Sequence, residues 1–460
     1  MRAREVRIVA AGLVASVLLI AGWLLAASAA FASSSVDYNH NGVIFVHGYD
    51  GSGGQFESQK MRFESNGYPD RYVTVFEYDS SQFTASLYSG VYSSAQEESL
   101  FAQLDQLVAQ MKAITHRPQI DLLAHSLGTK LMQDYLNSSP QRAANVAHYV
   151  NIDGQTASSP PGGVPTLALW GTKGPLSPPG RSIGGAENVS IPDSTHVQTA
   201  TSPLSFWWMY DFFNGAPPST TQIVSASGRI KLAGRAVNFP QNSGLAGATV
   251  QVWPLDQATG QRASTSPIAT FSIGGSGDWG PVTVPSGRRY EFALLRTGAP
   301  VHHFYYEPFI HSDDLIRLLE SDALRLAGGP PDPRSPAMVI IRYKELWGDQ
   351  GSENDILNVN GQSVCNATTC PLSKLVNALF AADFNHDGMS ETNETWPAYQ
   401  SIGYFVSSVD VFAPAQSPPT SEVTVSLQSR GTGPVRTVTF PDFAATTDVV
   451  TVQLNDYEQP

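Results

Sequence analysis

One short segment, residues 124–128 with the sequence Ala-His-Ser-Leu-Gly, constrains the fold of this chain more than any other feature. It follows an apolar run at 120–124 and precedes a stretch with helical spacing of apolar residues. A serine between small residues at a strand-to-helix turn is typical of the nucleophile elbow G-x-S-x-G, here with alanine at the first small position. Such a tight turn accepts only small flanking residues and presents the hydroxyl above the edge of a sheet. The sequence therefore predicts Ser126 as a nucleophile.

Residues 40–215 alternate short apolar runs with stretches of helical spacing. Apolar residues between 100 and 114 recur on one face of a helix, and residues 94–97 fit a capping box at its start. Strands that are apolar throughout, with helices between them, are typical of a parallel sheet covered on both faces. We therefore predict an α/β-hydrolase domain at 36–216, closed by an aromatic helix at 206–213. The predicted strands are 42–46, 72–78, 120–124, 146–152, 166–170 and 188–191.

A serine nucleophile needs a base to take its proton and an acid to orient that base. In chains with such an elbow the partners follow the serine in the order Ser, Asp, His. Asp153 ends the predicted strand after the elbow helix, and His196 lies in the loop between the last predicted strand and the closing helix. Asp193 is too close to His196 to orient its ring from a separate loop. The sequence predicts a triad of Ser126, Asp153 and His196.

Two backbone N–H groups are expected to stabilise the oxyanion of the reaction. The first belongs to Leu127, which opens the helix after the nucleophile. The second belongs to Tyr49, in the Gly-rich turn after the first predicted strand, where the second donor lies in this type of fold. We predict that the side chain of His47 orders this turn and carries no proton in the reaction.

Residues 82–93 place several aromatic and apolar side chains on one face if they are helical. They follow the second predicted strand, close to the active edge of the sheet. One interpretation is a short lid or a wall for an acyl chain. The other is ordinary cover of the core.

The sequence pattern changes after a linker at 217–221 that is rich in Pro and Thr. From Gln222 onward, polar and apolar residues alternate with period two between turn residues. Residues 222–300 fit a small antiparallel sandwich similar to the transthyretin-like sandwiches attached to exported enzymes. Residues 301–460 are predicted as a second β-rich domain, with a helix at 315–326. The predicted fold class is therefore an α/β hydrolase followed by all-β C-terminal domains, either sandwich or barrel.

An acidic loop at 383–394 matches the pattern D-x-[DN]-x-[DN]-G-x5-E of calcium-binding loops. A helix-like spacing of apolar residues at 372–380 leads into it. Calcium binds through oxygen atoms, and the glycine permits the bend of the loop. The pattern predicts a structural Ca²⁺ site, with a solvated acidic loop as the alternative, and no cofactor is expected for catalysis. The ligands would be Asp383, Asn385, Asp387, the Met389 carbonyl and Glu394.

The first 32 residues fit a secretory signal peptide, with three arginines ahead of an apolar run at 8–30 and a small-x-small sequence at 30–32. The alternative is an uncleaved membrane span, because the apolar run is long enough to cross a bilayer. Both interpretations place the rest of the chain outside the cytoplasm. In that setting Cys365 and Cys370 are predicted to form a disulfide, with two free thiols as the alternative.

These residues together resemble a known family. The turn at 46–49, the elbow at 124–128, Asp153-Gly154 and His196 are similar to those of secreted bacterial lipases with an Ala-x-Ser-x-Gly elbow. The two-domain organisation is similar to that of the lipase of Archaeoglobus fulgidus, in which an α/β-hydrolase domain precedes a β-rich domain implicated in lipid binding. The resemblance implies hydrolysis of carboxylic esters with fairly long acyl chains, through the triad and the two oxyanion donors named above.

We therefore expect a lipase or carboxylesterase that forms a serine acyl-enzyme on medium- to long-chain acyl esters. Its expected partner is a lipid or ester substrate, which it meets either in solution or at a lipid–water interface. A net charge of −13 gives nucleic-acid binding no electrostatic support. One alternative is a surface binding or scaffold protein with a vestigial hydrolase domain. Another is an acyl hydrolase or transferase for a polyester or a cell-envelope ester.

Overall fold

The predicted parallel sheet is present in the computed structural model, which describes residues 36–81, 94–330 and 332–459. Its strands are β1 (Gly42–Val46), β2 (Val73–Phe76), β3 (Ile120–His125), β4 (Val146–Ile152), β5 (Thr166–Gly171) and β6 (Glu187–Ile191). They lie in the order β2-β1-β3-β4-β5-β6, and every neighbouring pair is parallel. The predicted signal peptide at 1–32 and the predicted lid or wall at 82–93 lie outside the described residues.

Helices cover both faces of this sheet, as predicted from its apolar strands. Alternate residues of β1 point to opposite faces, so Ile44 packs with Leu104 on one side and Phe45 packs with Phe206 on the other. Among the described residues, no helix combines the length and the apolar character needed to cross a membrane. The helices are α1 (Glu57–Ser65), α2 (Ser94–Thr115), α3 (Leu127–Ser138), α4 (Pro140–Ala144), α5 (His196–Thr201), α6 (Pro203–Asn214), α7 (Asp322–Arg325) and α8 (Pro397–Ser401). Single 3₁₀ turns occur at Gly53–Phe56, Asp70–Tyr72, Pro161–Gly163, Gly351–Glu353, Leu372–Lys374 and Ser429–Gly431.

The C-terminal half is built from three further sheets. Its strands are β7 (Arg229–Asn238), β8 (Ser243–Gly244), β9 (Thr249–Pro254), β10 (Ala269–Ser272), β11 (Asp278–Pro285), β12 (Tyr290–Leu295), β13 (Val301–Tyr306), β14 (Asp313–Glu320), β15 (Met338–Arg342), β16 (Ile356–Val359), β17 (Gln362–Ser363), β18 (Ala378–Ala382), β19 (Val406–Asp410), β20 (Glu422–Gln428), β21 (Val435–Pro441) and β22 (Asp448–Leu454). An eight-stranded sheet has the order β10-β9-β12-β13-β22-β15-β18-β19. One four-stranded sheet has the order β11-β7-β14 with β8 beside β7, and the other has the order β17-β16-β20-β21.

Two hydrophobic cores lie between these sheets. The first contains Leu232 of β7 and Phe292 of β12, and the second contains Ile340 of β15 and Val425 of β20. The long sheet contributes to both cores, because β22 pairs in parallel with β13 on one side and with β15 on the other. Strands β13 and β14 belong to the sheets of the first core, so the sandwich continues past residue 300 to Glu320.

Two stretches predicted as helical do not form continuous helices, and each contains part of a strand. Residues 315–326 form most of β14, which pairs in parallel with β7, followed by the one-turn helix α7. Residues 372–380 form a 3₁₀ turn and the start of β18. Short apolar runs do not distinguish a buried strand from a buried helix, and pairing with neighbouring strands decides the outcome in both places.

The predicted disulfide between Cys365 and Cys370 is not formed, and both residues are free thiols. They lie in the second C-terminal core together with Val364 and Val376. Burial raises the pKa of the Cys365 thiol well above its usual value, and the neighbouring Cys370 thiol raises it further. Because the thiolate is the form that reacts, this apolar setting disfavours reaction at the Cys365 thiol. The structure therefore corrects the prediction in favour of two buried thiols.

Candidate active site

Ser126 joins β3 to α3 in a strained backbone conformation. Its φ of 53° and ψ of −124° lie outside the regions that residues with a side chain normally adopt, so neighbouring groups must hold the turn. Its N–H donates to the carbonyl of Ile152 at 2.9 Å. A Cβ on Gly48 would lie 2.7 Å from the Ser126 Cβ, and a Cβ on Gly128 would lie 2.4 Å from the His47 carbonyl oxygen. The elbow therefore needs glycine at both positions.

Asp153 and His196 form a fully buried acid–base pair. The Nδ1 of His196 lies 2.6 Å from Oδ2 of Asp153, and both side chains are 0% exposed. A proton on Nδ1 shared with the carboxylate leaves Nε2 as the acceptor of the ring. In the described part of the chain Nε2 has no hydrogen-bond partner, Ser126 included. The imidazole is therefore oriented and free to accept a proton.

Asp153 is held by three donors besides His196. Its Oδ1 accepts from the N–H of Gly171 at 2.6 Å and from Arg181 Nη2 at 2.5 Å, and its Oδ2 accepts from Ser177 Oγ at 2.8 Å. Burial raises the pKa of Asp153, but the hydrogen bond to His196 and the charges of His196 and Arg181 bring it below its usual value. The sequence analysis missed Arg181 and Ser177, since they come from a Pro- and Gly-rich loop without regular spacing.

Of the two predicted oxyanion donors, one lies at the cavity of Ser126 and the other opens the helix that follows Ser126. Tyr49 follows β1 and lines the same cavity as Ser126 and His196. Within the described residues, the backbone N–H of Tyr49 donates no hydrogen bond. Leu127 is the first residue of α3, where the N–H groups of the first turn have no acceptor inside the helix.

Two neighbouring histidines support the site without titrating. The buried ring of His47 stacks on Tyr78 with centroids 4.4 Å apart, and its Nδ1 lies 2.8 Å from the Gly48 carbonyl oxygen. Burial, followed by the nearby His196, lowers the pKa of His125 to about 3. Gln55 donates to Nδ1 of His125 at 2.8 Å, which leaves Nε2–H to donate to the His196 carbonyl at 3.1 Å. His125 therefore anchors the backbone of the base and stays neutral.

The C-terminal half completes the cavity above Ser126. This cavity encloses about 420 Å³, and Tyr343, Asn377 and Phe405 form part of its wall. The ring of Phe405 stacks against His196 with centroids 6.0 Å apart, on a backbone with a φ of 76°. Such a conformation is rare for a bulky residue and indicates that surrounding contacts fix the ring there. Sequence reasoning missed all three residues, because no motif links them to the elbow.

A larger apolar groove lies beside this cavity and shares part of its wall. It encloses about 1290 Å³ including its mouth, and Tyr343, Asn377 and Phe405 also line it. Ala378 and Phe380 of β18 point into it, whereas Leu379 between them is buried in the core behind the sheet. Further apolar lining residues are Phe239, Leu319, Leu324, Val339, Ile341, Ile402 and Val406. The C-terminal half thus supplies most of its wall.

The acidic loop at 383–394 does not form a complete set of calcium ligands. Within the described residues, no three Asp, Glu, His or Cys side chains converge as a metal site would require. The Asp383 carboxylate instead accepts from the N–H groups of His386 at 2.7 Å and Gly388 at 2.9 Å. The predicted ligands Asn385 and Asp387 likewise accept from N–H groups two residues further on, the second being that of Met389. Calcium binding at this loop, with Glu394 as a ligand, stays a prediction.

Three family models match successive parts of the chain. Residues 40–146 match the class 2 lipase family, and residues 228–323 match the lipase C-terminal domain family. Residues 330–458 match a further C-terminal domain family. The chain has the α/β-hydrolase fold. Together these matches support an ester hydrolase of the lipase type that carries a C-terminal domain.

Solved structures with this fold are similar to part of the chain. Lipase B of Aspergillus fumigatus is 16% identical with a TM-score of 0.30, over 41% of this chain and 56% of that lipase. A carboxylesterase of Bacillus subtilis is 13% identical with a TM-score of 0.28, over 40% of this chain and 86% of that enzyme. The chain therefore spans just over half the length of the fungal lipase. A comparison with curated proteins gave no match.

Proposed function

We propose that the protein is a serine ester hydrolase that cleaves carboxylic esters with medium- to long-chain acyl groups. The observation that carries this proposal is the buried His196–Asp153 pair. His196 lines the same cavity as Ser126, and its Nε2 has no hydrogen-bond partner among the described residues. A nucleophile in an elbow, an oriented base and a free backbone N–H at the same cavity are the parts that acyl transfer requires.

The reaction proceeds in two acyl transfers. Ser126 Oγ attacks the ester carbonyl while His196 Nε2 takes the hydroxyl proton, and the N–H groups of Tyr49 and Leu127 stabilise the oxyanion. The alcohol leaves with the proton returned by His196, and the acyl group stays on Ser126. Water then gives a proton to His196 and attacks the acyl-enzyme. His196 returns this proton to Ser126 Oγ as the acid leaves, which restores the serine. Asp153 stabilises the imidazolium in both steps.

The apolar groove is the proposed site of the acyl chain. It shares wall residues with the cavity of Ser126, and hydrocarbon buried in it would gain roughly 0.8 kcal/mol per methylene group. Its size and apolar wall favour long acyl groups over acetate. We also propose that the protein acts on lipid outside the cytoplasm, in keeping with the export signal predicted at 1–32.

Hydrolysis of p-nitrophenyl esters from C2 to C16 tests this function, with Ser126→Ala as the matched variant. We expect the ratio kcat/KM to rise with chain length to a maximum at C8 or longer, and activity to be lost in the variant. Release of p-nitrophenol by Ser126→Ala at the wild-type rate would contradict the serine mechanism. No turnover by the folded protein at any chain length would favour a binding protein or a special acyl donor instead.

A further inference from the structure

The helix that begins at the catalytic base lacks a cap of its own. His196 is the first residue of α5, and Thr195 before it occupies the N-cap position. A threonine there normally accepts a hydrogen bond from an N–H of the first turn. The Thr195 side chain makes no such bond. The first-turn N–H groups of α5 must therefore find an acceptor elsewhere.

Glu345, from the loop after β15 in the C-terminal half, supplies that acceptor. Its Oε1 accepts from the N–H of Val197 at 2.6 Å, and its Oε2 accepts from the N–H of Gln198 at 3.0 Å. The Thr195 hydroxyl donates to the same Oε2 at 2.6 Å. Glu345 is 0% exposed. Three donors thus converge on one buried carboxylate, directly beside the backbone of His196.

Other contacts hold Glu345 and α5 together. Arg430 donates to the Glu345 carbonyl at 3.0 Å and to Gln198 Oε1 at 3.0 Å. Thr201, the last residue of α5, donates through its hydroxyl to the Tyr343 carbonyl at 2.9 Å. Both ends of the short helix are therefore attached to the C-terminal half.

The charged and titratable groups around His196 can be named. Asp153 lies on its Nδ1 side and is paired with Arg181, and the ring of His125 lies with its centroid 4.6 Å away. Burial lowers the pKa of His125, so that ring is neutral. Glu345 and Arg430 approach from the C-terminal half. Asp50, Tyr49 and Tyr343 line the same cavity as His196, and burial raises the pKa of Asp50 to about 6.

We propose that Glu345 is a positioning residue for the catalytic base: it caps the helix that starts at His196 and places a buried carboxylate beside the backbone of that residue. The inference rests on the proposed ester hydrolysis and deepens it. It makes the C-terminal half a part of the catalytic machinery in addition to a wall for the substrate.

Two measurable effects follow from this role. The carboxylate favours the protonated imidazole, which must form in the transition state. Replacing it by a neutral amide removes that charge from the neighbourhood of the base. In the pH profile of kcat/KM, the acid limb (the fall of activity towards low pH) then moves to lower pH by roughly half to one unit. Loss of the cap also loosens the base, and kcat falls by roughly ten- to a hundredfold.

The test compares Glu345→Gln, Glu345→Asp and Glu353→Gln in the full chain. Each pH profile is measured twice, as ester hydrolysis and as the rate at which a fluorophosphonate labels Ser126. Glu353→Gln is the matched control, because it removes the same charge from an exposed pair with Lys173 in the same region. We expect the acid limb to move down in Glu345→Gln and to stay in place in the other two. Glu345→Asp keeps the charge but loses reach, so its kcat falls with little change in KM.

Several outcomes would overturn the role of Glu345. A Glu345→Gln variant with the wild-type acid limb, or a Glu345→Asp variant with the wild-type kcat, would do so while leaving the ester hydrolase intact. If circular dichroism shows that Glu345→Gln is unfolded, the kcat of Glu345→Asp alone tests the role of Glu345. Failure of the wild-type protein to hydrolyse any ester would instead contradict the function itself, and labelling of Ser126 would still report on Glu345.

Discussion

At the scale of single residues, the most unusual feature of the site is the cation beside its acid. Arg181 donates to Asp153 Oδ1 at 2.5 Å, and the guanidinium is mostly buried. Arg181 therefore offsets part of the charge with which Asp153 stabilises a protonated His196. Arg181 and Glu345 act on the base in opposite directions.

Arg181→Met should move the acid limb of kcat/KM to higher pH by roughly half to one unit. The reason is that Asp153 without its cation favours the imidazolium more strongly. The pH profile of ester hydrolysis measures the effect, and Arg181→Lys, which keeps the charge, should hold the limb near its wild-type position. A pH profile of Arg181→Met that coincides with the wild-type profile would show that the Arg181–Asp153 ion pair has no effect on His196.

The positions of the three proposed triad residues could be predicted from the sequence because each residue sits at a fixed place in a repeating strand–helix pattern. Ser126 belongs to a local motif, and Asp153 and His196 each follow a recognisable apolar strand. Arg181 and Glu345 have no such marker. Glu345 lies 148 residues beyond the N–H of Val197 that it accepts from, so only the folded chain brings them together.

At the scale of elements, the eight-stranded sheet separates a core from a groove. In β18, Ala378 lines the groove and the next residue, Leu379, packs into the core on the other face. This alternation follows from the pleat of a strand. It means that one side of β18 can be changed in size without a change in the core.

Ala378→Trp should shorten the range of accepted acyl chains. The indole would occupy groove volume, so kcat/KM for C12 to C16 esters should fall at least tenfold while that for C4 stays within about twofold, as expected when several methylene groups lose their burial. Ala246→Trp is the control, because Ala246 is exposed on the sandwich and outside the groove. An equal loss at every chain length would place the acyl chain elsewhere.

The sequence predicted the type of most elements in the first domain and fewer in the second. Strands of a parallel sheet are apolar throughout and separated by long amphipathic helices, which makes them easy to recognise. Strand β14 has the leucine-rich composition of a helix and becomes a strand because β7 offers a partner along its length. Local preference gives way to long-range pairing in such a segment.

At the scale of the whole molecule, buried charges link the hydrolase domain to the sandwich. Glu77, just after β2, pairs with Arg317 Nε at 2.8 Å and with Arg235 Nη1 at 2.5 Å, and it accepts from the N–H of Gly53 at 2.6 Å. Burial alone would raise the pKa of Glu77, but the two guanidinium groups and the N–H bring it from 4.5 to about 2. The link therefore depends on the ionised carboxylate.

A group with a lowered pKa stabilises the fold above its unfolded pKa and loses this effect as the pH falls through the folded value. The free energy of unfolding should therefore decrease as the pH is lowered from about 4.5 to about 2. Glu77→Gln should remove about 3 kcal/mol at pH 7, since it leaves Arg317 buried beside a neutral group. Urea denaturation at pH 7 and at pH 3 measures both effects. Glu353→Gln, at an exposed ion pair, should cost less than about 1 kcal/mol, and an equal loss in the two variants would contradict the buried link.

The central claim is that Ser126 carries the acyl group during turnover. The most direct measurement is the mass of the protein after acid quenching within the first turnovers of a p-nitrophenyl decanoate reaction, followed by mapping of the modified peptide. The account predicts one added decanoyl group, located on Ser126 and missing from Ser126→Ala. Turnover without any adduct on Ser126, or with the acyl group on another residue, would contradict it.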